Sequence, residues 1–240
     1  MHTNLLSNKL LPKVLAFDVF GTVVDWHGSI AAEVARLKIP VDPNVFASAW
    51  RNGYKPAMAR VRSGELGWTK IDDLHRLILD QVLDQFSIHS LNEAQKVDLN
   101  LVWHRLQPWS DSVEGLCKLK QHFTIVTLSN GNLSLLANMA KNAGLPWDLI
   151  LSAEVFRHYK PDPETYLGVA ATFDVKPGEV MLVAAHKDDL VAAHALGLQT
   201  AFIERPKEFG PTHQRDDMHR EDWVDYHASD FKDLAKQLSL

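Results

Sequence analysis

Five short apolar runs punctuate the chain: KVLAFDVF at 13–20, FTIVTLSN at 123–130, LILSAEV at 149–155, EVMLVAAH at 179–186 and QTAFIE at 199–204. Their length and β-branched content predict buried strands. Helical spacing fills the intervals among the last four. Residues 129–144 put Leu133, Leu136 and Met139 or Ala140 on one side, with Gly144 where a helix stops. PDPETYLGVAATF opens with Asp162 as an N-cap and Pro163 in the first turn, and DDLVAAHALGL ends on Gly197. Such alternation calls for a parallel sheet with helices on both faces.

From about residue 27 to 107 the pattern changes, and four helical segments replace the strands. GSIAAEVARLKI is the first. DPNVFASAWRNGYKPAMARVRSGE follows, with Pro56 expected to kink or break it. WTKIDDLHRLILDQVLDQF gathers Ile71, Leu74, Ile78, Val82 and Phe86 on one face. SLNEAQKVDLNLVWHRL starts with Ser90 and Glu93 in the spacing of a capping box. The fold expected is α/β: a Rossmann-like parallel sheet core, residues 1–26 and 108–240, with a helical cap, 27–107, inserted after the first strand.

Composition narrows the function. The formal net charge of -5 leaves no basic footprint, so no nucleic-acid partner is expected. No apolar run approaches the roughly 18 residues of a membrane span. MHTNLLSNKLLPK lacks the unbroken apolar core of a signal peptide, and the expected location is cytoplasmic. The one cysteine, Cys117, permits neither an intrachain disulfide nor a thiolate zinc cluster, and reads as a small core residue. The histidine-containing stretch THQRDDMHREDWVDYH at 212–227 fits no metal-ligand spacing and reads as a charged, solvated loop.

Ligands of open parallel sheets bind outside the carboxyl ends of the strands. Those ends are polar here: Asp18 and Thr22, then Ser129 and Asn130, then His186, Asp188 and Asp189, with Lys160 in the loop HYKPDPE. Taken in order, DVFGT, LSN, YKPDP and the acidic pair of HKDDL resemble the four motifs of the haloacid dehalogenase superfamily, over nearly the whole chain. AWR at 49–51, SNG at 129–131, Tyr166 in PDPETY and IERPKEFGP at 203–211 resemble, more narrowly, the type II 2-haloacid dehalogenases.

The resemblance implies a hydrolase acting on carbon–halide bonds, which converts small 2-haloalkanoic acids to 2-hydroxy acids through an aspartyl ester. Asp18 would be the nucleophile and Lys160 its positive partner. Thr22 and Ser129 match positions that hydrogen-bond the nucleophile or the substrate carboxylate, or else serve as turn residues. The backbone N–H groups of Val19 and Phe20 would help cradle that carboxylate. Arg51 and Asn130 match halide contacts, a guanidinium being permanently charged and weakly hydrated. Tyr166 matches a tyrosine near the lysine, or packs on its helix. Asp189 falls where the hydrolytic water is activated. His186 stands where other members carry asparagine; as a donor to the halide it would admit fluoride and fluoroacetate, and otherwise it fills a supporting hydrogen-bonding role.

Phe20 separates the main alternatives. Phosphatases of the superfamily carry a second aspartate two residues after the nucleophile, to protonate the leaving oxygen. A leaving halide needs no proton, and Phe20 has none to give. Against this stands a Mg²⁺-dependent small-molecule phosphatase, with Asp18 and Asp188 or Asp189 as a hard-cation site. A binding protein that kept the fold without the reaction is a further alternative. On the dehalogenase reading no metal or cofactor is expected. The partners are a small anionic haloacid, its halide and a second copy of the chain, and the L enantiomer is preferred.

Overall fold

The structure, a computed structural model, describes residues 11–238. The amino-terminal stretch read for a leader lies largely outside them. In chain order come β1 (Val14–Phe17), β2 (Val24–Asp25), α1 (Trp26–Arg36), α2 (Pro43–Asn52), α3 (Tyr54–Arg62), α4 (Ile71–Gln85), α5 (Glu93–Asn100), a 3-10 turn at Leu101–His104, β3 (Gln107–Pro108) and α6 (Ser112–Lys120). Then follow β4 (Thr124–Ser129), α7 (Leu133–Ala143), β5 (Leu149–Ser152), α8 (Ala153–Phe156), α9 (Pro163–Thr172), β6 (Val180–Ala184), α10 (Lys187–Ala195), β7 (Gln199–Ile203), β8 (Tyr226–Ala228) and α11 (Phe231–Gln237).

Six strands form one parallel sheet in the order β5-β4-β1-β6-β7-β8. β1 lies inside it, between β4 and β6, and all four of its residues are buried. Such a strand reads as a continuous apolar run because both faces are covered. The faces still alternate: Leu15 and Phe17 join one apolar cluster, Val14 and Ala16 the other. The first cluster continues into the helical segment through Trp26, Ile30, Trp50 and Trp103. A short antiparallel ribbon, β2 with β3, joins the two points where the chain enters and leaves that segment.

The helical segment differs from its expected pattern in two places. The break between α2 and α3 falls at Gly53, while Pro56 sits in the first turn of α3, where a missing N–H is tolerated. The capping box of α5 uses Asn92 and Gln95 in place of Ser90 and Glu93. Asn92 offers a side-chain oxygen two residues further on, and it accepts the Gln95 N–H at 2.9 Å. Elsewhere Asp162 and Pro163 open α9, and Gly144 closes α7 at φ 65°.

Cys117 corrects the core reading. The buried stripe of α6 is Ser112, Gly115, Leu116 and Leu119, which turns Cys117 outward, and it is exposed. β8, only three residues long and set in the charged 212–227 stretch, was not anticipated, nor was the β2–β3 ribbon. Among the described residues no helix is long and apolar enough to cross a membrane.

A buried ion pair fixes the loop after β1. Arg205 donates through both terminal nitrogens to Asp111, at 2.8 and 2.9 Å, and through Nε to the Thr22 carbonyl at 2.8 Å. Asp111 also accepts the Phe231 N–H at the start of α11. Removing one member leaves the other buried without its opposite charge. Arg205→Met is expected to lower stability by about 3–5 kcal/mol, read as a drop in the urea midpoint with an unchanged slope. A change below about 1 kcal/mol, the range of exposed pairs, would show that the pair does not brace this loop.

Candidate active site

Asp18 continues β1 by one residue, its N–H donating to the Val183 carbonyl at 3.0 Å. The chain then turns sharply, with Val23 and Val24 both donating to the Val19 carbonyl. Gly21 sits in this turn at φ 84°, and a Cβ there would lie 2.2 Å from Oε1 of buried Glu208. Glycine is needed on both counts. The Val19 and Phe20 N–H groups donate to no acceptor among the described residues, which leaves two amides at the strand's end for an anion.

The Asp18 carboxylate is almost wholly buried, and its two oxygens are treated differently. Oδ1 accepts from Lys160 Nζ at 2.9 Å. Oδ2 accepts from the Thr22 hydroxyl at 2.6 Å and lies 3.1 Å from His186 Nδ1. Thr22 is fixed in turn by the Ala185 N–H on its oxygen. Lys160 also reaches Asp189 Oδ2 at 2.5 Å, and the Tyr166 hydroxyl donates to Asp189 Oδ1 at 2.6 Å. Asn130 holds the lysine loop by accepting the Lys160 N–H at 2.7 Å. Five elements therefore meet at the carboxyl edge of β1, β4 and β6.

A family model described as haloacid dehalogenase-like hydrolase matches residues 12–197. The chain belongs to this family. Its fold matches the crystal structure of an L-2-haloacid dehalogenase, 46% identical, covering 95% of this chain and 100% of that one, with a TM-score of 0.89. A defluorinating L-2-haloacid dehalogenase is 47% identical over 95% of this chain and 96% of that one, with a TM-score of 0.90. (S)-2-haloacid dehalogenase 1 of Pseudomonas sp. (strain CBS-3) is 28% identical over 85% of this chain and 90% of its own length.

The contacts of several residues singled out in the sequence bear on the roles expected for them. Ser129 accepts the Gly131 N–H at 3.1 Å and makes no hydrogen bond to Asp18 among the described residues, so its visible part is that of a turn residue. Asp188 is exposed and lies 3.5 Å from Lys55, facing away from Asp18. His186 is the larger correction. Its Nδ1 faces Asp18, and its Nε2 lies 2.7 Å from Glu208 Oε1. Neither ring nitrogen is left for a halide. Phe20 packs edge-on against Trp103 and His75, joining the sheet's end to the helical segment. The Arg51 guanidinium lies over the Tyr54 ring at 4.4 Å and makes no hydrogen bond among the described residues.

The electrostatics separate the two central carboxylates. Burial opposes ionisation of Asp18, but the charges of Lys160 and His186 outweigh it and hold the carboxyl far below the usual range. Burial and the charge of Asp18 push Asp189 upward in spite of Lys160. Divergent environments of this kind assign a permanent anion and a proton acceptor within one site. His186 is pushed up to about 10: burial works against its charge, and the Glu208 and Asp18 carboxylates prevail. His75, buried without a carboxylate in contact, falls to about 3 and is neutral.

Three site residues were not legible in the sequence. Tyr54 is buried with its hydroxyl toward Asn130. Glu208 is fully buried, bonded to His186, to Trp26 and, at 2.6 Å, to Arg215. Arg215 belongs to the stretch read as solvated, yet its side chain is only 4% exposed and donates to the Ala185 carbonyl. The only signal for Glu208 was its place in IERPKEFGP, beside Arg205.

The His186 bridge stabilises the fold while the ring is charged. Its pKa is raised from 6.5 to about 10, so that contribution is complete below about pH 6.5 and disappears as pH rises through 10. Thermal unfolding of wild type and His186→Asn should therefore converge between pH 7 and 10. A gap that stays constant over this window would mean that the ring is not charged in the folded protein.

Proposed function

We propose that this protein hydrolyses the carbon–halogen bond of small 2-haloalkanoic acids, releasing halide and the 2-hydroxy acid. The observation that carries the reading is Asp18: an ionised carboxylate at the end of an inner strand, held by one lysine, with Phe20 where a phosphatase needs a proton donor. An Asp18 oxygen attacks the carbon bearing the halogen and forms the ester C–O bond as the C–X electron pair departs with the halide. The substrate carboxylate is placed at the free N–H groups of Val19 and Phe20, and the halide leaves toward Arg51 and Asn130. Asp189, with its raised pKa and its contacts to Lys160 and Tyr166, takes a proton from the water that hydrolyses the ester.

Residues 27–107 act in this reading as a cap over a core of 1–26 and 108–240, closing Arg51 onto the site and excluding water during displacement. The 47% identical defluorinating relative supports fluoroacetate as a substrate beside chloroacetate. The 46% identical L-2-haloacid dehalogenase supports selection of the L enantiomer. A homodimer and a cytoplasmic location complete the reading.

Purified protein in EDTA should release halide and 2-hydroxy acid from chloroacetate, fluoroacetate and L-2-chloropropionate. Asp18→Asn should release none, and Lys160→Met should lose about a hundredfold or more in kcat. Release of phosphate from small esters on adding Mg²⁺, with no halide release, would overturn the reading.

A further inference from the structure

The two oxygens of Asp18 carry different numbers of donors, and ester chemistry treats them differently. Oδ2 has two, the Thr22 hydroxyl at 2.6 Å and His186 Nδ1 at 3.1 Å. Oδ1 has only Lys160 among the described residues, at 2.9 Å. The less engaged oxygen, Oδ1, has the lone pair free to attack carbon. Oδ2 then remains as the carbonyl oxygen of the ester, with both donors in place.

We propose that His186 donates to the oxygen on which charge collects when the Asp18 ester is hydrolysed, and that Glu208 and Arg215 are its positioning residues. The inference rests on the dehalogenase reading above and assigns His186 a part in its second half. In that half, the water oxygen bonds to Cγ of Asp18 while the carbonyl electron pair moves onto Oδ2, and Asp189 takes a water proton. The pair then returns to re-form the carbonyl and the Cγ–Oδ1 bond breaks. Oδ1 leaves on the product and takes the proton from Asp189, becoming the hydroxyl of the 2-hydroxy acid. The carboxylic acid left on Asp18 ionises, releasing one proton to solvent, and His186 keeps its own protons throughout.

Donors already aimed at a developing oxyanion act on that step alone, because they need no reorganisation when the charge appears. Ester formation runs the other way, since Asp18 loses charge as it attacks. A cation beside it stabilises the ground state more than the transition state there. His186 therefore assists hydrolysis of the ester and not its formation.

The ring is built in. Glu208, fully buried, meets Nε2 through Oε1 at 2.7 Å, which aims Nδ1 at Asp18. Trp26 Nε1 donates to the same Oε1 at 3.3 Å, and Arg215 donates to Oε2 at 2.6 Å. Arg215 is itself held by Asp217 and the Ala185 carbonyl. The charged groups around the ring are Asp18 and Glu208 in contact, with Lys160 and Arg215 beyond them and Arg51 acting on Glu208. This balance keeps the ring charged up to about pH 10.

Rapid mixing of the full chain with chloroacetate, followed by acid quench, intact-protein mass measurement and halide assay, separates the two halves. In Glu208→Gln the halide burst should persist at one equivalent and within about threefold of the wild-type rate. Steady-state turnover should fall tenfold or more, and the ester should accumulate. Its hydrolysis should weaken as pH rises through neutrality, a limb wild type shows only near pH 10. His186→Asn, a neutral donor, should hydrolyse the ester slowly and without that limb.

A burst that slows as much as turnover, or an ester that never builds up, overturns the proposal. The burst amplitude counts folded active sites, so misfolding is not mistaken for slow chemistry. Nitrogen-15 histidine spectra of the unmutated protein add a check free of variants: a neutral His186 ring at pH 8 also overturns it. Absence of any halide release from wild type contradicts the dehalogenase reading itself, a distinct result.

Discussion

One ammonium group stands between two carboxylates in this protein, and the arrangement of the site follows from that sharing. Lys160 Nζ lies 2.9 Å from Asp18 and 2.5 Å from Asp189, all three nearly shielded from water. A single cation cannot satisfy two buried anions equally. His186 adds a second positive charge on the Asp18 side, so that Asp18 is driven down, while burial and the charge of Asp18 push Asp189 up. A carboxylate held ionised and one pushed toward protonation thus arise from two residues of the same chemical type, a few ångströms apart.

Keeping these charges buried demands that their neighbours be satisfied as well. The alternation continues outward through His186 to Glu208 and Arg215 on one side, and through Asp189 to Tyr166 on the other. Arg205 and Asp111 pin the loop that carries Thr22. Breaking one of the ion pairs leaves a buried charge short of a partner, which is costly in such a setting. The fold's share is to bring the ends of β1, β4 and β6 together, and the helical segment's is to lay Trp103 and His75 against Phe20 there.

The sequence made the sheet legible because its inner strands are continuous apolar runs ending in polar residues. It was mute where an element depends on tertiary partners. Tyr226–Ala228 becomes a strand only by pairing with β7, and three residues carry no periodicity of their own. Asp18, Lys160 and Asp189 were legible from strand ends and loop motifs, and the structure brings them together. Glu208 and Arg215 were not, because a charged residue in a polar stretch looks solvated until a partner across the fold buries it. The two ring contacts of His186 also fall beyond local sequence, since Glu208 lies 22 residues away.

In the proposed reaction Asp18 itself, and not water, attacks the carbon that carries the halogen. A single turnover in oxygen-18 water, with enzyme in excess over chloroacetate, tests it directly. The hydroxy acid should form unlabelled while the peptide containing Asp18 gains one heavy oxygen. Labelled product beside an unlabelled Asp18 would contradict it and make the carboxylate a base for direct attack by water.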